Sequence, residues 1–304
     1  MHAPSPSYRG RFAPSPTGPL HAGSMLAALG SWLLARQSGG QWLLRIEDID
    51  PPREVAGAVE AQLAALAAFG LRHDGGITYQ SQRADAYRDA LNRLLARGLA
   101  FECHCSRADL AATGGVHRRC VATAPRPDPA IRLRVADGTE IAFDDLVHGR
   151  VVQRVDLVAG DVVLLRADGL WAYQLAVVVD DAAQDVTDVV RGADLLDSTP
   201  RQILLQQALG LPTPRYAHLP LLLGADDRKL SKSDAALPVD LASPLETLQA
   251  LWRCLGQTPL PPGSRHGVDG FLAAGIHAFR IEQVPTLATR LSAAVHNTGA
   301  TRRD

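Results

Sequence analysis

Three clusters of residue types in this 304-residue chain can do chemistry. The first is Arg11-Phe12-Ala13-Pro14-Ser15-Pro16-Thr17-Gly18-Pro19-Leu20-His21-Ala22-Gly23-Ser24, where a short strand gives way to a helix. A helix N-terminus offers unpaired N–H groups and partial positive charge, which suits a phosphate in an open α/β sheet. The small residues Ala22, Gly23 and Ser24 let a nucleotide approach the backbone. His21 can donate to a phosphate that gains charge in a transition state. The second cluster is Arg228-Lys229-Leu230-Ser231-Lys232-Ser233. Lys229 and Lys232 are the only lysines among 31 basic residues, so a compact ammonium on a flexible stem is used here and nowhere else. Two such groups three residues apart suit the charge of a departing polyphosphate. The third cluster, Cys103-His104-Cys105 followed by His117 and Cys120, reads C-x-C-x11-H-x2-C. Three thiolates and an imidazole are a tetrahedral donor set for structural zinc. His104 is a rival fourth ligand, although a side chain between two cysteines tends to point away from both.

The elements that must position these groups alternate. Strand-like runs at Tyr8–Ala13 and Trp42–Ile46 flank an amphipathic stretch from His21 to Arg36, and helices are predicted over Glu54–Phe69 and Arg83–Arg97. This order implies a parallel sheet with helices on its faces. The pattern breaks at Phe101. Strand-like stretches at Ile131–Val135, Val151–Val158 and Val162–Arg166 have antiparallel character. The alternation resumes at Tyr173–Val179, with a strand at Val186–Arg191, a helix at Thr199–Leu209 and a strand at Ala217–Leu223. Residues 1–100 and 167–240 thus read as two halves of one Rossmann-type domain, 101–166 as an inserted zinc-binding subdomain, and 241–304 as a short helical extension.

Composition fits a soluble globular chain: 46% hydrophobic and 21% charged, with a net charge of −1 that advertises no nucleic-acid partner. No apolar run approaches the roughly 20 residues needed to cross a bilayer, and nothing near Met1 has signal-peptide character, so the cytoplasm is the expected compartment. Cys254, among Leu251, Trp252 and Leu255, is expected to be a buried small hydrophobe. Arg118-Arg119 and Arg132 with Arg134 are basic enough to meet RNA, though solvation accounts for them equally well.

The segment from Arg11 to Ser24 resembles the "HIGH" signature of class I aminoacyl-tRNA synthetases, and Lys229 to Ser233 resembles their "KMSKS" loop. Ser24 stands for the second histidine and Leu230 for the methionine. Arg45-Ile46-Glu47-Asp48, Tyr79-Gln80-Ser81-Gln82-Arg83 and the stretch from Val190 to Gln202 are similar to the glutamate-specific branch. About seventy residues follow the second signature, too few for an anticodon-binding domain, which resembles the short paralogues of glutamyl-tRNA synthetases. The resemblance implies an enzyme that activates L-glutamate with ATP and Mg2+, without tRNA, and attaches it to queuosine at the wobble position of tRNA(Asp); a monomer is expected, although the sequence itself does not show the oligomeric state. It places glutamate against Arg11, Phe12, Ala13, Pro14, Ser15, Glu47, Tyr173 and Arg191. ATP falls against His21, Gly23, Ser24, Lys229 and Lys232, with His21 and Lys232 catalytic. The family's zinc site has a tyrosine where His117 is the nearest candidate. Glutamate carries two carboxylates and one ammonium, so a pocket built from Arg11, Arg191 and Glu47 would match its charges. Two other readings use the same residues: a short enzyme charging the 3′ end of tRNA(Glu), and a non-catalytic tRNA-binding paralogue.

Overall fold

The computed structural model describes residues 7–223, 238–262 and 267–290. Lys229, Lys232 and the loop that carries them lie outside the described residues, as does the polar tail. In chain order the elements are β1 (Arg9–Phe12), α1 (Ala22–Gln37), β2 (Gln41–Ile46), α2 (Ala58–Ala68), β3 (Thr78–Tyr79), α3 (Ala84–Ala96), β4 (Ala100–Cys103) and β5 (Ala130–Leu133). There follow β6 (Glu140–Asp145), β7 (Gly149–Arg154), α4 (Val155–Val158), β8 (Val162–Leu165), α5 (Tyr173–Ala183), β9 (Asp188–Gly192) and α6 (Thr199–Leu209). The last are β10 (Arg215–Leu219), β11 (Leu222–Leu223), α7 (Pro244–Cys254), α8 (Gly267–Ala278) and β12 (Thr289–Arg290). Among the described residues no helix is long and apolar enough to cross a membrane.

The main sheet has the order β3-β2-β1-β9-β10-β6-β7, parallel throughout except for the last pair. Strand order reverses between β1 and β9, and a parallel sheet binds ligands beyond the carboxyl ends of the strands at that point. Arg11 on β1 and Arg191 on β9 stand there, each one residue from its strand's end. Helix α1 is apolar on nearly every face because it lies between the sheet and the C-terminal helices. Its Leu33 and α7's Trp252 both approach Gly275 of α8 closely enough that an added Cβ would touch them at 3.4 Å. The described part of 241–304 therefore shares the core of the catalytic sheet, and β12 pairs with β11.

The inserted stretch divides. Strands β4, β5 and β8 form a separate antiparallel sheet, whereas the β6–β7 hairpin joins the main sheet beside β10. The strand expected over Val151–Val158 ends at Arg154, because buried Asp156 turns back to accept from Gly138 N–H at 3.0 Å and from the Arg154 guanidinium. The strand expected over Ala217–Leu223 is interrupted at Pro220, which has no N–H to donate to a ladder.

Candidate active site

A cleft of about 1020 Å³ opens beside the switch point. The 47–54 loop and Tyr173 of α5 line it, as does the cysteine-bearing segment through Cys105, Arg107 and Arg126. Ser15 and Glu47 also reach it, and the two are held in register by Glu47 N–H donating to the Pro14 carbonyl at 2.9 Å.

Residues two apart on a strand share a face, so Arg45 and Glu47 emerge from the end of β2 together. Both are buried, and Arg45 Nη2 lies 3.3 Å from Glu47 Oε1. Arg45 Nη1 donates to Asp181 Oδ1 at 2.7 Å, and Arg11 donates to both oxygens of the same carboxylate at 3.1 and 3.4 Å. Burial alone would push the Asp181 carboxyl up, but Arg11 and Arg45 hold it below the ordinary carboxylate range. For Glu47 burial wins and the pKa rises, against the pull of Arg45 and Arg11. Two guanidiniums and two carboxylates thus form one chain, Arg11–Asp181–Arg45–Glu47, with no net charge when both acids are ionised. Removing the acid at its centre leaves two buried cations uncompensated. Asp181→Ala is expected to lower stability by about 3–5 kcal/mol in urea unfolding, whereas Asp144→Ala, which removes an exposed partner of Arg150, changes it little.

Arg191 is different. It is 5% exposed, and its hydrogen-bond partners among the described residues are neutral: Nε donates to His218 Nε2 at 3.1 Å, Nη1 to the Tyr173 hydroxyl at 3.3 Å, and Nη2 to Thr199 Oγ1 and Gln202 Oε1 at 2.7 Å each. No carboxylate lies within ion-pair distance of it among the described residues. A guanidinium has five N–H groups, so these four bonds leave one, on Nη1 beside Tyr173, a residue of the cleft wall. Arg191 thus has no anion in direct contact; the buried carboxylate on its network, Asp145, stands one imidazole away behind His218. A buried cation of this kind is costly without an anionic partner.

Sequence expectation and structure differ at several residues. Phe12 stacks on Trp42 (centroids 6.0 Å apart) inside the core, so only its backbone is available to a ligand. Arg11 is already paired with Asp181, so it is the balanced cation of the two arginines expected to meet substrate. Asp181, His218 and, bonded to His218 at 2.6 Å, Asp145 enter the network without having been singled out, and Gln202 figures in the sequence motifs only as the last residue of the Val190–Gln202 stretch.

His21 caps α1: its Nδ1 accepts from Ser24 N–H at 3.3 Å, and its Nε2 lies 3.1 Å from Ser24 Oγ. Gly23 makes room for that ring, since a Cβ there would press on it at 3.0 Å. The first turn of α1 has no acidic residue to neutralise its partial positive charge. Pro238, six residues after Lys232, bridges to His21, and Val239 N–H donates to Leu20 at 3.0 Å.

The ligand atoms of Cys103, Cys105, His117 and Cys120 lie within 4.8 Å of one another. His117 Nδ1 pairs with Asp161 Oδ2 at 2.7 Å, which turns Nε2 toward the thiols. A histidine held by a carboxylate in this way is a common arrangement in metal sites. Gly160, at φ +60°, lets that strand approach: a Cβ would strike the His117 carbonyl at 2.1 Å. His104 faces elsewhere and accepts from Arg126 N–H at 2.9 Å. Burial and the neighbouring Cys103 and Cys105 push the Cys120 thiol up to about 11. Crowded thiols of this kind are what a dication relieves.

Residues 7–246 match the family model for the catalytic domain of class I tRNA synthetases (E and Q). The chain is 62% identical over 282 residues to a glutamyl-Q tRNA(Asp) synthetase of Xanthomonas campestris pv. campestris, covering 93% of this chain and 95% of that one. It is 51% identical over 292 residues to the protein of the same name from Pseudomonas syringae pv. tomato, at 93% and 97% coverage. Its fold is similar to the crystal structure of a glutamate tRNA ligase from Elizabethkingia meningosepticum, with a TM-score of 0.79 at 28% identity, covering 95% of this chain and 68% of that one.

Proposed function

Because the chain belongs to the class I tRNA synthetases of the E and Q type, and within them to the glutamyl-Q tRNA(Asp) synthetases, we propose that it joins L-glutamate to ATP as glutamyl-adenylate, without tRNA, and passes the glutamyl group to queuosine at the wobble position of tRNA(Asp). The observation that carries the glutamate reading is Arg191, a buried cation whose direct contacts are all neutral and which reaches the cleft wall through Tyr173. A substrate carboxylate would supply the anion that its direct contacts lack.

In this reading one substrate carboxylate meets Arg191 and the Tyr173 hydroxyl, and the ammonium lies against Glu47. Ala13, Pro14 and Ser15 contribute backbone and small side chains, with Phe12 offering backbone alone. Arg11 acts through Asp181, keeping the negative charges near the ammonium from spreading. The other carboxylate attacks the α-phosphorus of ATP in line; the new P–O bond forms as the bond to pyrophosphate breaks. Little covalent work falls to the protein, so positioning and charge do most of it. His21, Gly23 and Ser24 at the start of α1 hold the phosphates, and Lys229 and Lys232 neutralise the leaving group. A Mg2+ ion brought with ATP supplies further charge neutralisation. Zinc would be held by Cys103, Cys105, His117 and Cys120, with a structural role. A monomer acting in the cytoplasm completes the proposal.

Pyrophosphate exchange into ATP, measured with glutamate and no tRNA, tests the first step. Exchange is expected in the wild type and absent in Lys232→Ala. Radioactive glutamate should then become bound to tRNA(Asp) only when that tRNA carries queuosine. Esterification of tRNA(Glu) at its 3′ end would instead identify a short glutamyl-tRNA synthetase.

A further inference from the structure

Arg191 is oriented from behind by a pair of buried residues on two other strands. His218 lies on β10 and Asp145 at the end of β6, and neither has exposed side-chain surface. His218 Nδ1 is 2.6 Å from Asp145 Oδ2, and His218 Nε2 is 3.1 Å from Arg191 Nε. A guanidinium only donates, so Nε2 must accept from it; Thr199 Oγ1, 3.0 Å from the same nitrogen, is a hydroxyl and can donate to it as well. A neutral imidazole that accepts at Nε2 carries its proton at Nδ1, where the carboxylate receives it. Burial and the nearby Arg191 push the imidazole pKa down against the pull of Asp145, which favours the neutral ring. Burial would raise Asp145, but bonds from His218 and from the His148 and Val147 N–H groups outweigh it and keep the carboxyl ionised.

We propose that Asp145 and His218 are positioning residues for glutamate specificity: Asp145 fixes the Nδ1–H tautomer of His218, and the acceptor thereby presented at Nε2 holds Arg191 without putting an anion in contact with its guanidinium. The inference rests on the reading of Arg191 as the partner of a substrate carboxylate. An acidic residue at 218 would hold the guanidinium equally firmly, but it would neutralise the cation that selects an anionic substrate. A neutral acceptor keeps geometry and charge together. The hairpin β6–β7 has a role in this beyond extending the sheet, because it delivers Asp145.

The geometry around Asp145 makes one substitution informative. Its Oδ1 accepts three backbone N–H groups, from Val147 at 2.9 Å, His148 at 2.9 Å and His218 at 3.3 Å. In Asp145→Asn the amide oxygen must stay there, which turns the amide N–H toward His218 Nδ1. The ring then has to accept at Nδ1 and carry its proton at Nε2, donor facing donor at Arg191 Nε. The predicted result is a rise of about tenfold or more in the glutamate KM of pyrophosphate exchange, the scale of one lost hydrogen bond to a charged group, with the ATP KM little changed. His218→Gln, whose Oε1 can replace the acceptor, should stay near the wild type, and His218→Leu should behave like Asp145→Asn. These two variants decide the matter if Asp145→Asn does not fold. Nitrogen-15 spectra of histidine-labelled protein, with the His218 signals assigned by their loss in His218→Gln, report the tautomer directly. An Nε2–H ring or an imidazolium at neutral pH in the wild type would overturn the proposal, as would a folded His218→Leu with an unchanged glutamate KM. Arg191→Leu separates this idea from the one beneath it: an unaltered glutamate KM there would sink the substrate reading, while the tautomer would still be settled by the spectra.

Discussion

Arg191→Leu should reduce kcat/KM for glutamate in tRNA-independent pyrophosphate exchange by roughly 10²- to 10³-fold, while leaving the KM for ATP close to that of the wild type. Truncating one partner of a buried, hydrogen-bonded charge pair costs about 2–5 kcal/mol, and each 1.4 kcal/mol is about a factor of ten. The middle of that range applies, because the leucine also removes the donor from which Thr199 Oγ1 and Gln202 Oε1, both buried, accept. The four-member chain Arg11–Asp181–Arg45–Glu47 is internally balanced, so it cannot take over the lost charge. Arg191→Lys is a finer probe. It keeps the charge but not the fork, and one ammonium cannot reach His218, Tyr173, Thr199 and Gln202 together. Its activity should fall between the two, with a larger loss in discrimination against glutamine than in stability. Glutamine exchange approaching the wild-type glutamate value in Arg191→Leu would support the charge argument. Undiminished glutamate exchange would remove Arg191 from the site.

Most of the parallel sheet could be read from hydrophobic pattern alone. The run Trp42–Ile46 and the helix at Thr199–Leu209 are found where apolar spacing places them. Strand β6 could not. Its inward positions are Ile141, Phe143 and Asp145, and an aspartate in the third place conceals the period-two alternation that marks a strand. The misfit is informative after the fact, since a polar residue in a buried slot is where pattern reading should fail when the slot has a task. Arg191, Glu47 and Tyr173 came from the resemblance and not from their surroundings. Asp181 and His218 had no sequence signal, because each acts through a partner more than twenty residues away, and only the fold makes that pairing. The distinction between Arg11 and Arg191 was equally hidden: both are buried arginines on neighbouring strands, and which one already has an acid can be seen only in three dimensions.

The second large effect concerns the thiol cluster, and it should separate the two steps of the reaction. Between β4 and β5 the chain runs from His104 to Pro129 with no strand or α-helix. The apolar cluster beneath it consists of Cys103, Cys105 and Leu110, with Phe101 and Ala122 at its edge. A core this small cannot offset the conformational entropy of ordering some two dozen residues at about 1–2 kcal/mol each, so something else must hold the segment. A structural zinc ion contributes about 10–16 kcal/mol of apparent binding energy at neutral pH, which is the right scale. Cys105→Ser, or exhaustive chelation, is therefore expected to take zinc content to zero and to raise amide hydrogen exchange across 103–122. The sheet β4-β5-β8 should remain protected, because Ala100, Leu133, Val162 and Leu164 pack with α3, α5 and α6 in a different cluster. Glutamate-dependent pyrophosphate exchange should change little, since Arg191, Glu47 and His21 stand on the main sheet and on α1. Transfer to tRNA should fall by orders of magnitude, because Cys105, Arg107 and Arg126 line the cleft, where the proposed function brings the RNA hydroxyl. If exchange and transfer are lost in parallel, the metal supports the whole domain and not that part of the cleft; if the segment keeps its protection without zinc, the cluster is not what orders it.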